Sequence, residues 1–158
     1  TPSIVPNQGH ITSLFGWRRS PFGNGRDFHT GIDIAARPGT IIRATAPGKV
    51  VAAGWSGGYG NRVRIKHKYG FETVYAHCRV IAVAKGQRIK KGTIIAYVGA
   101  TGNATGNHCH YEIRLGGIPI NPYPYMRRSY PHRGRGIYRN RYSYRGLWPQ
   151  HPSFRKGP

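Results

Sequence analysis

An all-β fold, a compact antiparallel β-sheet domain, is predicted by three features of the sequence. Short β-rich runs recur between turn signals, one of them alternates polar and apolar residues, and no stretch sustains an amphipathic helix. Thr40 to Ala44 and Lys49 to Ala53 are the first two strands, separated by Pro47-Gly48. Arg62 to Lys66, within Asn61 to His67, alternates as a half-buried antiparallel strand should. Glu72 to His77 follows the Tyr69-Gly70 turn, and Thr93 to Val98 follows Lys91-Gly92. His108 to Arg114 runs up to Gly116-Gly117. No internal repeat of solenoid length is found.

The charge divides the 158-residue chain in two. Lys and Arg number 25 against four Asp and Glu, a formal net charge of +21. Residues 1–126 hold sixteen of the bases and all four acids, and residues 127–158 hold nine bases and no acid. The latter stretch repeats Arg, Tyr and Gly with scattered Pro and follows neither structural period. It buries too little apolar surface to offset the entropy of ordering it, so it is expected to be an extended or disordered basic tail. The domain boundary falls near Pro122 to Met126. No apolar run reaches the roughly eighteen residues of a membrane span. A start at Thr1-Pro2-Ser3, without Met or a signal peptide, is expected of a processed or trimmed form. A charge this high calls for a polyanionic partner, and composition alone would favour RNA.

The histidines carry a different message. His29 and Asp33 stand four apart, but Gly31 and its β-branched neighbours argue against a helix, so a loop entering a strand must bring them together. His108 and His110 are alternate residues of a strand and therefore share a face, with Cys109 turned away. Two His and one carboxylate suit a catalytic zinc with one position open for water. Such a zinc lowers the pKa of its water towards about 7. A base is also needed, and the helical HExxH motif is absent. His77, and whichever of His108 and His110 does not bind metal, can fill that need.

Three strings then align with a known family. Phe28-His29-Thr30-Gly31-Ile32-Asp33, Tyr75-Ala76-His77 and Gly106-Asn107-His108-Cys109-His110-Tyr111-Glu112 closely resemble the motifs of the lysostaphin-type, or LytM-like, zinc metallopeptidases. Ile11 to Arg18, Ala46 to Val50 and Gly99 to Gly102 resemble the flanking pieces, so the likeness runs from about Gly9 to Pro122. It implies a compact antiparallel β-fold of the duplicated-hybrid-motif kind, with one zinc per chain held by His29, Asp33 and His110. His77 and His108 would then flank the attacking water. It implies hydrolysis of peptide bonds in the stem peptides or cross-bridges of peptidoglycan, outside the cytoplasm, by a monomer. The basic tail would contact an anionic wall polymer or membrane surface. Glu112 should face the same side as His110 and orient a ligand from behind it.

Some family members have lost ligands and act as activators of other wall hydrolases, which is the alternative function. RNA binding through the tail ranks third, because no RNA-recognition motif accompanies it. Cys78 and Cys109 occupy positions that are often Leu in the family. An extracytoplasmic setting permits disulfides, and a Cys78–Cys109 bridge is expected, with two buried free thiols as the plainer outcome.

Overall fold

The computed structural model describes residues 1–126, and the basic tail expected at 127–158 lies outside the described residues. Twelve strands and one short helix follow in order: β1 His10–Ser13, β2 Gly16–Arg19, β3 Arg26–His29, β4 Ile32–Ala35, β5 Ile41–Arg43, β6 Gly48–Trp55, β7 Asn61–Lys66, β8 Phe71–Ile81, β9 Arg88–Ile89, β10 Ile94–Val98, β11 His108–Leu115, β12 Ile118–Ile120 and α1 Tyr123–Met126. Every strand predicted from the sequence is present. The additions are short strands at the edges, β1, β9 and β12, and the strands around the first histidine motif. Strands β2 and β3 pair as a hairpin just ahead of that motif.

All strand pairs are antiparallel, and the main sheet runs β1-β4-β11-β8-β7-β6-β9. Strand β8 is its spine. Up to Ala76 it pairs with β11, and from Cys78 on it pairs with β10, so the strand changes partners around His77. Alternation sorts its two faces. Val63, Ile65, Tyr75, Tyr111 and Ile113 point inward and are fully buried with Ile32, Ile34, Ile42 and Ile95. The other face of β7, β8 and β11 carries Arg64, Glu72, His110, Glu112 and Arg114.

The core encloses a polar chain that is hydrogen-bonded throughout. Tyr75 and Tyr111, directly opposite on β8 and β11, both reach Thr45: the Thr45 N–H donates to the Tyr75 hydroxyl at 3.0 Å, and Thr45 Oγ1 lies 2.7 Å from the Tyr111 hydroxyl. Tyr75 is also bonded to Thr73, which lies 2.7 Å from His67 Nε2. Burial without partners would make each of these groups costly, so the chain fixes how the layers meet.

The two cysteines do not form the expected bridge; both are buried free thiols. The β8–β11 ladder ends at Ala76–His110, before Cys78 is reached. Cys78 lies opposite Val98 and Asn61, and Cys109 lies opposite Ile34. Neither faces the other in register, and each acts as a small core hydrophobe.

Tyr75→Phe removes the acceptor of the buried Thr45 N–H. It is expected to cost about 1–3 kcal/mol, read from the midpoint of urea unfolding.

Candidate metal centre

The first motif folds around a close approach of backbones. His29 ends β3, and Thr30-Gly31 passes directly over β11, where a Cβ on Gly31 would lie 2.3 Å from the Tyr111 carbonyl oxygen. Only glycine allows that contact. Strand β4 then pairs with β11 in the register His110↔Asp33, which puts the carboxylate beside the imidazole. One ligand atom each from His29, Asp33 and His110 lies within 4.8 Å of the others.

The atoms that converge can all serve as metal ligands once the rings are neutral. His29 Nδ1 donates to the Leu14 carbonyl at 2.9 Å, which leaves Nε2 facing inward. His110 Nε2 donates to Glu112 at 2.9 Å, which leaves Nδ1 facing inward. These two nitrogens are 3.1 Å apart, and Asp33 Oδ1 is 3.0 and 2.8 Å from them. A proton on His110 bridges to Asp33 here, and a metal ion bound among these atoms would take the place of that proton. With two nitrogens and one carboxylate, the set fits a divalent metal of the zinc type with room for further ligands. Burial opposes charge on Asp33, but hydrogen bonds from His110 and His29 hold its carboxyl well below the usual range. Burial likewise opposes a charged His110, yet Asp33 and Glu112 raise it to about 9. The surroundings favour positive charge at this point.

Glu112 is the fully buried anchor behind His110, on the side expected from the sequence. Besides His110, its carboxylate accepts from Thr30 Oγ1 at 2.7 Å, Tyr59 at 2.8 Å and Arg114 Nε at 2.8 Å. Burial acts against its charge, but the His110, Thr30 and Arg114 contacts bring its pKa down to about 2. On the other side, Arg18 Nη1 donates to Ser13 Oγ at 2.7 Å and reaches Asp33 Oδ2 at 3.4 Å. Thr30, Tyr59, Arg18 and Arg114 have no signature of their own in the sequence. Only the tertiary fold brings them in.

His77 reaches the site through a break in its strand. Strict alternation would turn it into the core after Tyr75. Instead it adopts φ +60, and the β7–β8 register slips between Asn61 and Val63, so β8 carries an extra residue there. This bulge re-aims the ring onto the face of His110. The ring centroids of His77 and His108 are 4.8 Å apart. His77 Nδ1 donates to the Thr101 carbonyl at 2.7 Å, and His108 Nδ1 donates to the Gly106 carbonyl at 2.9 Å. His108 Nε2 lies 3.6 Å from Asp33 Oδ1. Burial pushes His77 down to about 4, so the ring is neutral at physiological pH. All four rings and Asp33 line a groove of about 860 Å³, with the β2–β3 hairpin as one wall.

The family model named Peptidase family M23 matches residues 27–122, more than half of the chain. The chain belongs to peptidase family M23. It is 47% identical over 112 residues to the DD-carboxypeptidase/endopeptidase Mpg of Neisseria meningitidis, covering 71% of this chain and 26% of that protein. To the murein hydrolase activator NlpD of Escherichia coli it is 40% identical over 122 residues, covering 77% and 30%. The chain thus spans less than a third of these curated relatives. Among solved structures, a zinc containing peptidase from Vibrio cholerae matches with a TM-score of 0.70 and 34% identity, over 75% of this chain and 38% of that one. The catalytic domain of lysostaphin from Staphylococcus simulans matches with a TM-score of 0.69 and 29% identity, over 75% and 92%. This M23 domain therefore has the lysostaphin-type fold that its motifs predict.

Glu112→Gln keeps the shape of the anchor but removes its charge. Zinc affinity, titrated against a competing chelator, is expected to fall about 10–100-fold.

Proposed function

We propose that this M23 domain is a zinc-dependent peptidase that hydrolyses peptide bonds in the stem peptides or cross-bridges of bacterial peptidoglycan, outside the cytoplasm. The observation that carries the proposal is the presence of five side chains in one groove: three convergent ligand groups, with His77 and His108 beside them. The alternative reading is a murein hydrolase activator, the role named for NlpD. It gives no reason for two further histidines to flank a ligand set.

His29 Nε2, Asp33 and His110 Nδ1 would hold the metal. Zinc in such a site polarises the scissile carbonyl and makes hydroxide available near neutral pH. The chain's own residues then handle the protons. His77 and His108 each have Nδ1 tied to a backbone carbonyl, so each presents Nε2 for chemistry. One accepts the proton of the attacking water at Nε2 and passes it to the leaving amine, and the other, as an imidazolium, hydrogen-bonds the oxyanion of the tetrahedral intermediate. Glu112 and Arg18 hold the ligands in orientation. The nine bases of residues 127–158 would add attraction to an anionic wall polymer, with the chain acting as a monomer.

His77→Ala and His108→Ala, each loaded with zinc, are expected to bind the metal as the parent does. Release of new amino groups from purified peptidoglycan should fall about 10²–10⁴-fold in each. Unchanged release from either variant would remove that histidine from the mechanism.

A further inference from the structure

The sheet face that carries His110 continues away from the metal centre as a basic floor. Cross-strand register aligns Arg64, Val74 and Glu112 in one row, and Lys66, Glu72 and Arg114 in the next. Arg62, two residues before Arg64 on β7, shares that face. Four cations and two acids therefore stand together. Both acids are already engaged. Glu112 accepts from four side chains, and Glu72 pairs with Arg64 at 3.2 Å and Arg114 at 3.9 Å.

Arg62, like Lys66, is in no ion pair among the described residues. The buried Nε of Arg62 has no hydrogen-bond partner among them. Its guanidinium lies 5.4 Å above the Tyr59 ring, whose centroid is 5.9 Å from the His110 ring. That spacing is at most about three residues of extended peptide, at ~3.3 Å each. Opposite Arg62 on β6 stands Gly54, where a Cβ would meet nothing within 4 Å, so no side chain from β6 crowds that position. Burial and the like charge of Arg64 depress the pKa of Arg62, with Arg114 adding to the effect and Tyr59 and Glu112 opposing it.

We propose that Arg62 is a carboxylate-binding subsite, which takes an acidic group of the peptidoglycan peptide while a neighbouring peptide bond lies at the metal centre. Its two terminal nitrogens would bind a carboxylate through two parallel hydrogen bonds, as planar guanidinium groups do. The Tyr59 face beneath supports the guanidinium, and Tyr59 itself lines the groove. Because Tyr59 also bonds Glu112, the subsite and the His110 anchor share one support. The inference rests on the peptidoglycan assignment above, and it adds a specificity determinant: acidic stem peptides over amidated ones.

The test uses two soluble probes, a disaccharide-peptide fragment of peptidoglycan with free carboxylates and the same fragment with its carboxylates amidated. Binding to the zinc-loaded chain is measured by calorimetry and cleavage by steady-state kinetics, for the parent, Arg62→Gln and Arg62→Lys. Arg62→Gln is expected to raise Kd and KM about tenfold or more for the acidic fragment, leave kcat unchanged and leave the amidated fragment unaffected. Arg62→Lys should recover part of the loss. Equal effects on both fragments, or no effect on either, would overturn the subsite. Displacement of the acidic fragment by polyglycerol phosphate at equal strength would also overturn it, in favour of a phosphate polymer. If the parent cleaves neither fragment but binds the acidic one through Arg62, the peptidase assignment fails and the subsite stands. If it binds neither, both fail.

Discussion

Three atoms able to bind a metal, pressed together, are the constraint on which this structure depends. His29 Nε2, Asp33 Oδ1 and His110 Nδ1 lie about 3 Å apart. Each imidazole has its other nitrogen committed, to the Leu14 carbonyl or to Glu112. Neither ring can turn away without leaving a buried partner unsatisfied. The arrangement is therefore fixed by the fold, and its carboxylates call for a positive charge at this point, which a proton on His110 or a divalent cation can supply. The register of β4 on β11, the passage of Gly31 over Tyr111 and the buried Glu112 all serve that one arrangement.

The two flanking histidines come from a second device. Strand β8 serves two sheet neighbours in succession, β11 and then β10, and the bulge at His77 sits where it changes between them. The same extra residue that lets the strand turn also rotates one imidazole from the core face to the groove face. Tyr75 and Cys78 stay in the core on either side. A packing feature of the sheet thereby supplies a chemical group. The Thr101 carbonyl then fixes its tautomer.

Much of this was legible in the sequence because the relevant spacing is local. Alternation in His108-Cys109-His110 placed both rings on one face, and the strands between glycine turns gave the fold class. What was not legible depends on register between distant strands. Tyr59, Thr30 and Arg114 meet at Glu112 from three parts of the chain, and nothing in the sequence around each announces it. The bulge at His77 follows no turn signal, since the residue in the left-handed region is a histidine instead of a glycine. The cysteine bridge failed for the same reason: alternation gave each sulfur its face but not the partner strand opposite it. The charge of +21 divides likewise, and in the described domain part of it is a patterned sheet face beside the metal centre.

The most direct measurement of the central claim is the mass spectrum of purified peptidoglycan after incubation with the chain, metal-free and then with one equivalent of zinc. The account predicts new amino and carboxyl termini within stem peptides or cross-bridges in the zinc sample only, at a single type of bond. Intact peptidoglycan with zinc bound, cut only when another wall hydrolase is added, would contradict it and make the chain an activator.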